Sequence, residues 1–185
     1  RIRLLPHASV VHRFTVDRHL VETCREASRL IRRVGRPDVL LVSALLHDIG
    51  KVQEGEHSVT GMPIAEEIAT RMGFDAVEVK LISQLVRWHL LLPEIALSRD
   101  LDDPATIEQV VQAVGDSELL ELLVTLTEAD ARATSPKAWS PWRATMITAL
   151  VAQVRRVLAE PQVGPHLPET APPAGNIPKR SGELL

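Results

Sequence analysis

Apolar residues recur along most of the chain at the three- and four-residue intervals of a helix. No stretch alternates apolar and polar residues as a half-buried strand would. Val16, Leu20, Cys24, Ala27, Ile31 and Val34 trace one stripe and predict a helix over 15–34. Pro37 suits a first helical turn, and 38–51 is apolar almost all round, as a central buried helix would be. Ser58 is placed to cap a helix that runs to Met72 and is closed by Gly73. Asp75 and Glu78 have the spacing of a capping box and open a helix that runs to about Leu91, before Pro93. Asp103-Pro104 opens a short helix that Gly115 ends. Asp116 or Ser117 opens another, through Thr134, and Ser140-Pro141 starts the last, to about Glu160. About seven helices joined by short loops make an all-α bundle.

The pattern stops after residue 160. Six of the thirteen prolines fall in 161–185, among glycine, serine and scattered charges. Such a stretch buries too little surface to offset its ordering entropy and reads as a disordered Pro-rich linker or tail. The expected organisation is one domain over 1–160 and a tail over 161–185, which suits a chain of 185 residues. A net charge of −3 leaves no basic surplus for a phosphate backbone, which argues against broad nucleic-acid binding. A single cysteine, Cys24, excludes an internal disulfide and a cysteine-rich zinc site, and fits a reducing, cytoplasmic setting. The longest apolar stretch, 39–46, is far short of the ~20 residues of a membrane helix. No signal-peptide pattern is visible. The chain starts at Arg1 rather than methionine, so it is expected to be a piece of something longer.

Ionisable residues interrupt the apolar seams. His19 lies beside the first stripe, and His47 and Asp48 sit in the least polar segment of the chain. His89 continues the series Ile82, Leu85, Val86, and Asp130 continues Leu119, Leu122, Leu123, Leu126. A lone histidine on such a face is usually a core histidine with a hydrogen-bonded partner. Two buried carboxylates are another matter, because each costs several kcal/mol unless compensated (roughly, for a desolvated ion). Lysines and arginines on the adjacent seams are too few to pair with both. A divalent cation would compensate both and use the imidazoles too. Nitrogen and oxygen donors without thiolate suit Mn, Fe, Co, Ni or Zn, and Mg less well. His47 and Asp48 point about 100° apart on a regular helix, so both reach one ion only near a helix end, which Gly50 and the loop after Lys51 supply. That loop delivers His57.

The order His19, His47-Asp48, Asp130 resembles the HD superfamily of metal-dependent phosphohydrolases. HDIGK at 47–51 with His57 and His89 is similar to the subset with an expanded ligand set. HRFTVDRHLVET at 12–23, GEHSVTG at 55–61, RWHLLLPEIALSRDLDDPATI at 87–107, LTEADARAT at 126–134 and AWSPWRATM at 138–146 resemble the HD domain of the PII uridylyltransferase/uridylyl-removing family. This resemblance covers about residues 10 to 155. It implies an HD-domain helical bundle that hydrolyses a nucleotidyl group, UMP or AMP, from a modified PII signalling protein in nitrogen regulation. The partner transferase and the glutamine-sensing ACT domains would lie outside this chain. The resemblance also implies one or two divalent ions, Mn, Mg or Fe. His19, His47, Asp48 and Asp130 would hold the first; His57 and His89 would hold the second, with Asp48 bridging and catalytic. Lys51 reads either as the cation for phosphate oxygens or as a solvated helix end. Arg99 and Asp100 read either as contacts to the nucleotide or PII loop or as a surface pair. Some relatives carry two adjacent histidines where this chain has Trp88-His89, which implies a weaker or differently built second site. The alternatives are another HD phosphohydrolase acting on a small nucleotide and a non-catalytic HD module that binds a nucleotide or partner. Trp139 and Trp142 read as core anchors rather than a partner patch.

Overall fold

Most helix ends in the computed structural model, which describes residues 15–160, fall where start and stop signals stand in the sequence. Helix α1 (Val16–Leu30) passes into a 3-10 turn, Ile31–Arg33. Helix α2 (Pro37–Leu46) has its proline in the first turn, where a missing N–H costs nothing. Helix α3 (His57–Met72) ends on Gly73 at φ +91°, a left-handed position that favours glycine. Helix α4 (Ala76–Trp88) starts behind a complete capping box of Asp75 and Glu78. Helices α5 (Leu91–Ser98), α6 (Pro104–Val114), α7 (Ser117–Thr134) and α8 (Pro141–Ala159) follow. Asp103, Asp116 and Ser140 cap α6, α7 and α8 through their side chains. The all-α bundle stands, with eight α-helices and no strand among the described residues.

Four local expectations change. The helix expected over 38–51 stops at Leu46; Asp48 leaves helical geometry at φ −102°, ψ 12°, and a 3-10 turn, Ile49–Val52, follows. The cause is tertiary: a Cβ on Gly50 would lie 2.0 Å from the His57 carbonyl oxygen and 2.6 Å from the Gly61 nitrogen, so the turn lies directly on α3. Ser58 does not cap α3. Glu56 holds that position, and the Ser58 hydroxyl donates to Glu56 Oε1 at 2.6 Å. Pro93 does not end the helical region, because it falls in the first turn of α5. Trp139 packs on the core as an anchor should, whereas Trp142 is 61% exposed. The expected tail, 161–185, lies outside the described residues.

Helix α2 is central, in contact with α1, α4 and α7, and Val39, Leu40 and Ala44 on it are fully buried. Ile82 and Leu85 of α4 and Leu120, Leu123 and Leu126 of α7 complete the core around it. Helix α8 closes one side through Leu150 and Val154 against α5 and α6. Three buried glutamates were not legible in the apolar pattern. Glu22 and Glu26 on α1 pair with Arg18, Arg25 and Arg29, while Glu128 on α7 pairs with Arg33 and Arg132. The arginine heads stay at the surface and shield the carboxylates, as long side chains with wet tips do.

Candidate metal centre

Four elements aim ionisable side chains at one point of the interior. Helix α1 brings His19, the C-terminal end of α2 brings His47 and Asp48, the end of α4 brings His89, and α7 brings Asp130. The Gly50 turn presses the first residue of α3, His57, against them. His19, His47, Asp48 and His89 are buried to 2% exposure or less. Because α2 ends at Leu46, the adjacent His47 and Asp48 both face the cluster. A continuing helix would have turned one of them away.

The donors form two groups of three, His19–His47–Asp130 and Asp48–His57–His89; within each, the ligand atoms lie within 4.8 Å of one another. Asp48 joins the two groups. Its Oδ2 is 3.6 Å from His47 Nε2 and 4.0 Å from His19 Nε2, and its Oδ1 is 3.4 Å from His57 Nε2 and 3.7 Å from His89 Nε2. Asp130 Oδ1 lies 2.8 Å from His19 Nε2 and 3.6 Å from His47 Nε2. The ring orientations of two histidines are set from behind. His47 Nδ1 faces the Ala44 carbonyl at 2.9 Å and His89 Nδ1 the Val86 carbonyl at 2.7 Å. A carbonyl only accepts, so each Nδ1 carries the proton and each Nε2 is left for the cluster. His47 Nε2 is buried with no hydrogen-bond partner. Once this nitrogen gives up its proton, it and the two carboxylate oxygens beside it make a donor set that fits a divalent cation of the Mn, Fe or Zn kind.

Charge follows the same plan. Burial alone would lower His47, but Asp48 and Asp130 outweigh it and lift the imidazole to about 9. His89, buried and facing His47, falls to about 4, and His57 falls as well, chiefly through burial. Burial would raise Asp48, yet His47, Lys51 and His89 hold its carboxyl well below the usual range. Asp130 is held down likewise against its burial, by His47 and His19. Both carboxylates therefore stay ionised, and the proton on His47 does part of the work a cation would do.

Lys51 is drawn in directly, with Nζ 2.6 Å from Asp48 Oδ2, so one of the two carboxylates does have a basic partner. The residues with side chains open to solvent are Lys51, His57 and Asp130, at 20–25%, and they mark the side from which the cluster is reached. Arg99 and Asp100 are not gathered into it. They lie exposed past the end of α5, one short helix beyond His89, where Asp100 accepts the Asp102 N–H. Trp88 leans on the core and beneath the Arg87 guanidinium at 4.3 Å, outside both donor groups. Reading the sequence missed Glu56, Ser58 and Arg87, which surround the second group; their only signal there was adjacency to His57 and His89.

The HD domain family matches residues 16–135. A bifunctional uridylyltransferase/uridylyl-removing enzyme of Streptomyces coelicolor is 54% identical over 94% of this chain and 21% of its own length. The enzyme of that name from Mycobacterium tuberculosis is 49% identical over 94% of this chain and 21% of its own, and that of Ruegeria pomeroyi 36% over 81% and 18%. The chain thus spans about a fifth of the length of these curated relatives. No helix among the described residues is long and apolar enough to cross a membrane.

Proposed function

The chain belongs to the HD domain family, and from that membership we propose that it is the nucleotide-removing part of a longer nitrogen-signalling enzyme. The family's chemistry is metal-dependent phosphohydrolysis. The proposed reaction cleaves the phosphodiester that joins a nucleotide, UMP or AMP, to a PII protein in the cytoplasm. The uridylyl-removing names of the relatives support that substrate. One observation carries the catalytic reading: Asp48, with one oxygen turned to His19 and His47 and the other to His57 and His89.

A divalent cation, Mn, Mg or Fe, would supply a Lewis acid and a water acidic enough to ionise near neutral pH. His19, His47, Asp48 and Asp130 would hold it, and His57 and His89 with the second oxygen of Asp48 would hold another. The chain's own residues supply the rest. The Ala44 and Val86 carbonyls keep the His47 and His89 Nε2 atoms aimed inward, so little reorganisation is needed when ligands bind. Asp48 remains ionised and serves both groups. Lys51, at the open side, would meet a non-bridging phosphate oxygen and offset its charge as the phosphorus is attacked. Arg99, at the exposed end of α5, would contact the nucleotide or the PII loop.

The test gives the 185-residue chain, loaded from a panel of Mn, Mg and Fe, both UMP-modified and AMP-modified PII. Release of one nucleotide, abolished in Asp48→Ala and indifferent to glutamine, is the expected result. A loaded chain that cleaves small nucleotides but leaves both modified proteins intact would overturn the substrate assignment.

A further inference from the structure

The second donor group is made where the first residue of α3, His57, faces His89 at the end of α4, two helices that pack against each other through the core. His57 is one-quarter exposed. Beside that junction lies a polar cluster with no part in the reaction as derived. Arg87, two residues before His89, donates from Nη1 to Glu56 Oε1 at 3.3 Å and to the buried Ser58 hydroxyl at 3.2 Å. Ser58 donates in turn to Glu56 Oε1 at 2.6 Å. Glu56 and Ser58 flank His57 on both sides.

The polar side chains beside His57 bond one another rather than the N–H groups at the start of α3. Glu56 occupies the N-cap of α3 without bonding the helix N–H groups through its side chain, although those groups call for a partner. Ser58, of a residue type that caps well, gives its hydroxyl proton to Glu56. Both are committed to Arg87 across the gap, and Arg87 is braced on the Trp88 ring at 4.3 Å. This polar cross-link joins the start of α3 to the end of α4 beside the 3.3 Å approach of His57 Nε2 to His89 Nε2.

We propose that Arg87, through Glu56 and Ser58, is the positioning residue that holds His57 against His89 and so decides whether the protein retains a second cation. This rests on the two-group reading of the site above. Partners behind metal ligands typically change affinity by about 10- to 100-fold, so the second ion should respond on that scale while the first does not.

The experiment titrates Mn2+ into the chelated wild type, Arg87→Leu, Arg87→Lys and Ser58→Ala, by calorimetry and by the electron paramagnetic resonance of coupled manganese pairs. Wild type should take two ions and show the coupled signal. Arg87→Leu should keep one ion at wild-type affinity, bind the second about 10- to 100-fold more weakly and lose the coupled signal at matched loading. Ser58→Ala should weaken the second ion in the same direction, and Arg87→Lys should restore part of it. Two ions with wild-type affinity in both Arg87→Leu and Ser58→Ala would overturn the inference alone. A wild type that takes a single ion would overturn it together with the two-group reading. Loss of both ions from Arg87→Leu, with a lowered unfolding temperature, would make Arg87 a general structural residue and overturn it too.

Discussion

Asp48 is the residue on which the site turns, because one of its oxygens faces His19 and His47 and the other His57 and His89. Asp48→Ala should therefore lose bound manganese from both groups and lower phosphodiester hydrolysis by at least roughly 10²–10³-fold, the scale of one lost electrostatic stabiliser. Elemental analysis and initial rates check it; retained metal with retained rate would refute it. The opposite shifts of His47 and His89 predict a second behaviour, in the chelated protein. His47 has a folded value of about 9 against 6.5 unfolded, so the stability it lends is complete below pH 6.5 and fades as pH rises toward 9. His89 is the reverse, at about 4 folded, and its contribution is present above pH 6.5 and fades as pH falls toward 4. Chelated protein should thus unfold at its highest temperature near pH 6.5. Manganese should remove the alkaline fall, since the cation takes over the role of the His47 proton. Melting curves from pH 4 to 9, with and without Mn2+, test both signs.

Among the elements, the 3-10 turn Ile49–Val52 matters most to the site, since it carries the chain from Asp48 onto α3. Gly50→Ala would place a methyl group 2.0 Å from the His57 carbonyl, and neither backbone has room to yield without moving His57. An overpacked contact of this kind costs about 1–3 kcal/mol, or roughly 2–12 °C of melting temperature in a domain of this size. Manganese retention at the His57 group should fall as well. Asp75→Ala makes the comparison: it removes a complete capping box worth about 1 kcal/mol at the far end of α4 from His89. It should lower the melting temperature by roughly 2–4 °C and leave metal binding alone. If the two variants lose metal equally, destabilisation rather than geometry is the cause.

At the scale of the whole molecule, six donors spread from His19 to His89 and on to Asp130 converge because five helices, α1, α2, α3, α4 and α7, share one apolar core. The proline-rich composition of 161–185 predicts a tail that adds nothing to that core, so deleting 162–185 should shift the melting temperature by no more than roughly 2–4 °C. A larger drop in a calorimetric scan would show that the tail docks on the body. The sequence by itself determined the helical class, the N-caps at Asp75, Asp103 and Ser140, a cap at Asp116 or Ser117, and the candidate donors that break apolar seams. Periodicity and capping are local, and a buried ionisable residue stands out wherever a seam is strongly apolar. It placed the end of α2 and the start of α3 wrongly, at Lys51 and Ser58, and left undecided how Lys51, Glu56, Ser58 and Arg87 are paired. Those depend on Gly50 meeting Gly61 and on α3 meeting the end of α4, contacts between residues distant in the chain that no local pattern encodes. The two-sided role of Asp48 is of the same kind. The family resemblance implied it, and only the packing of α1, α3, α4 and α7 around that carboxylate puts three histidines and a lysine within 4 Å of its oxygens and His19 at 4.0 Å.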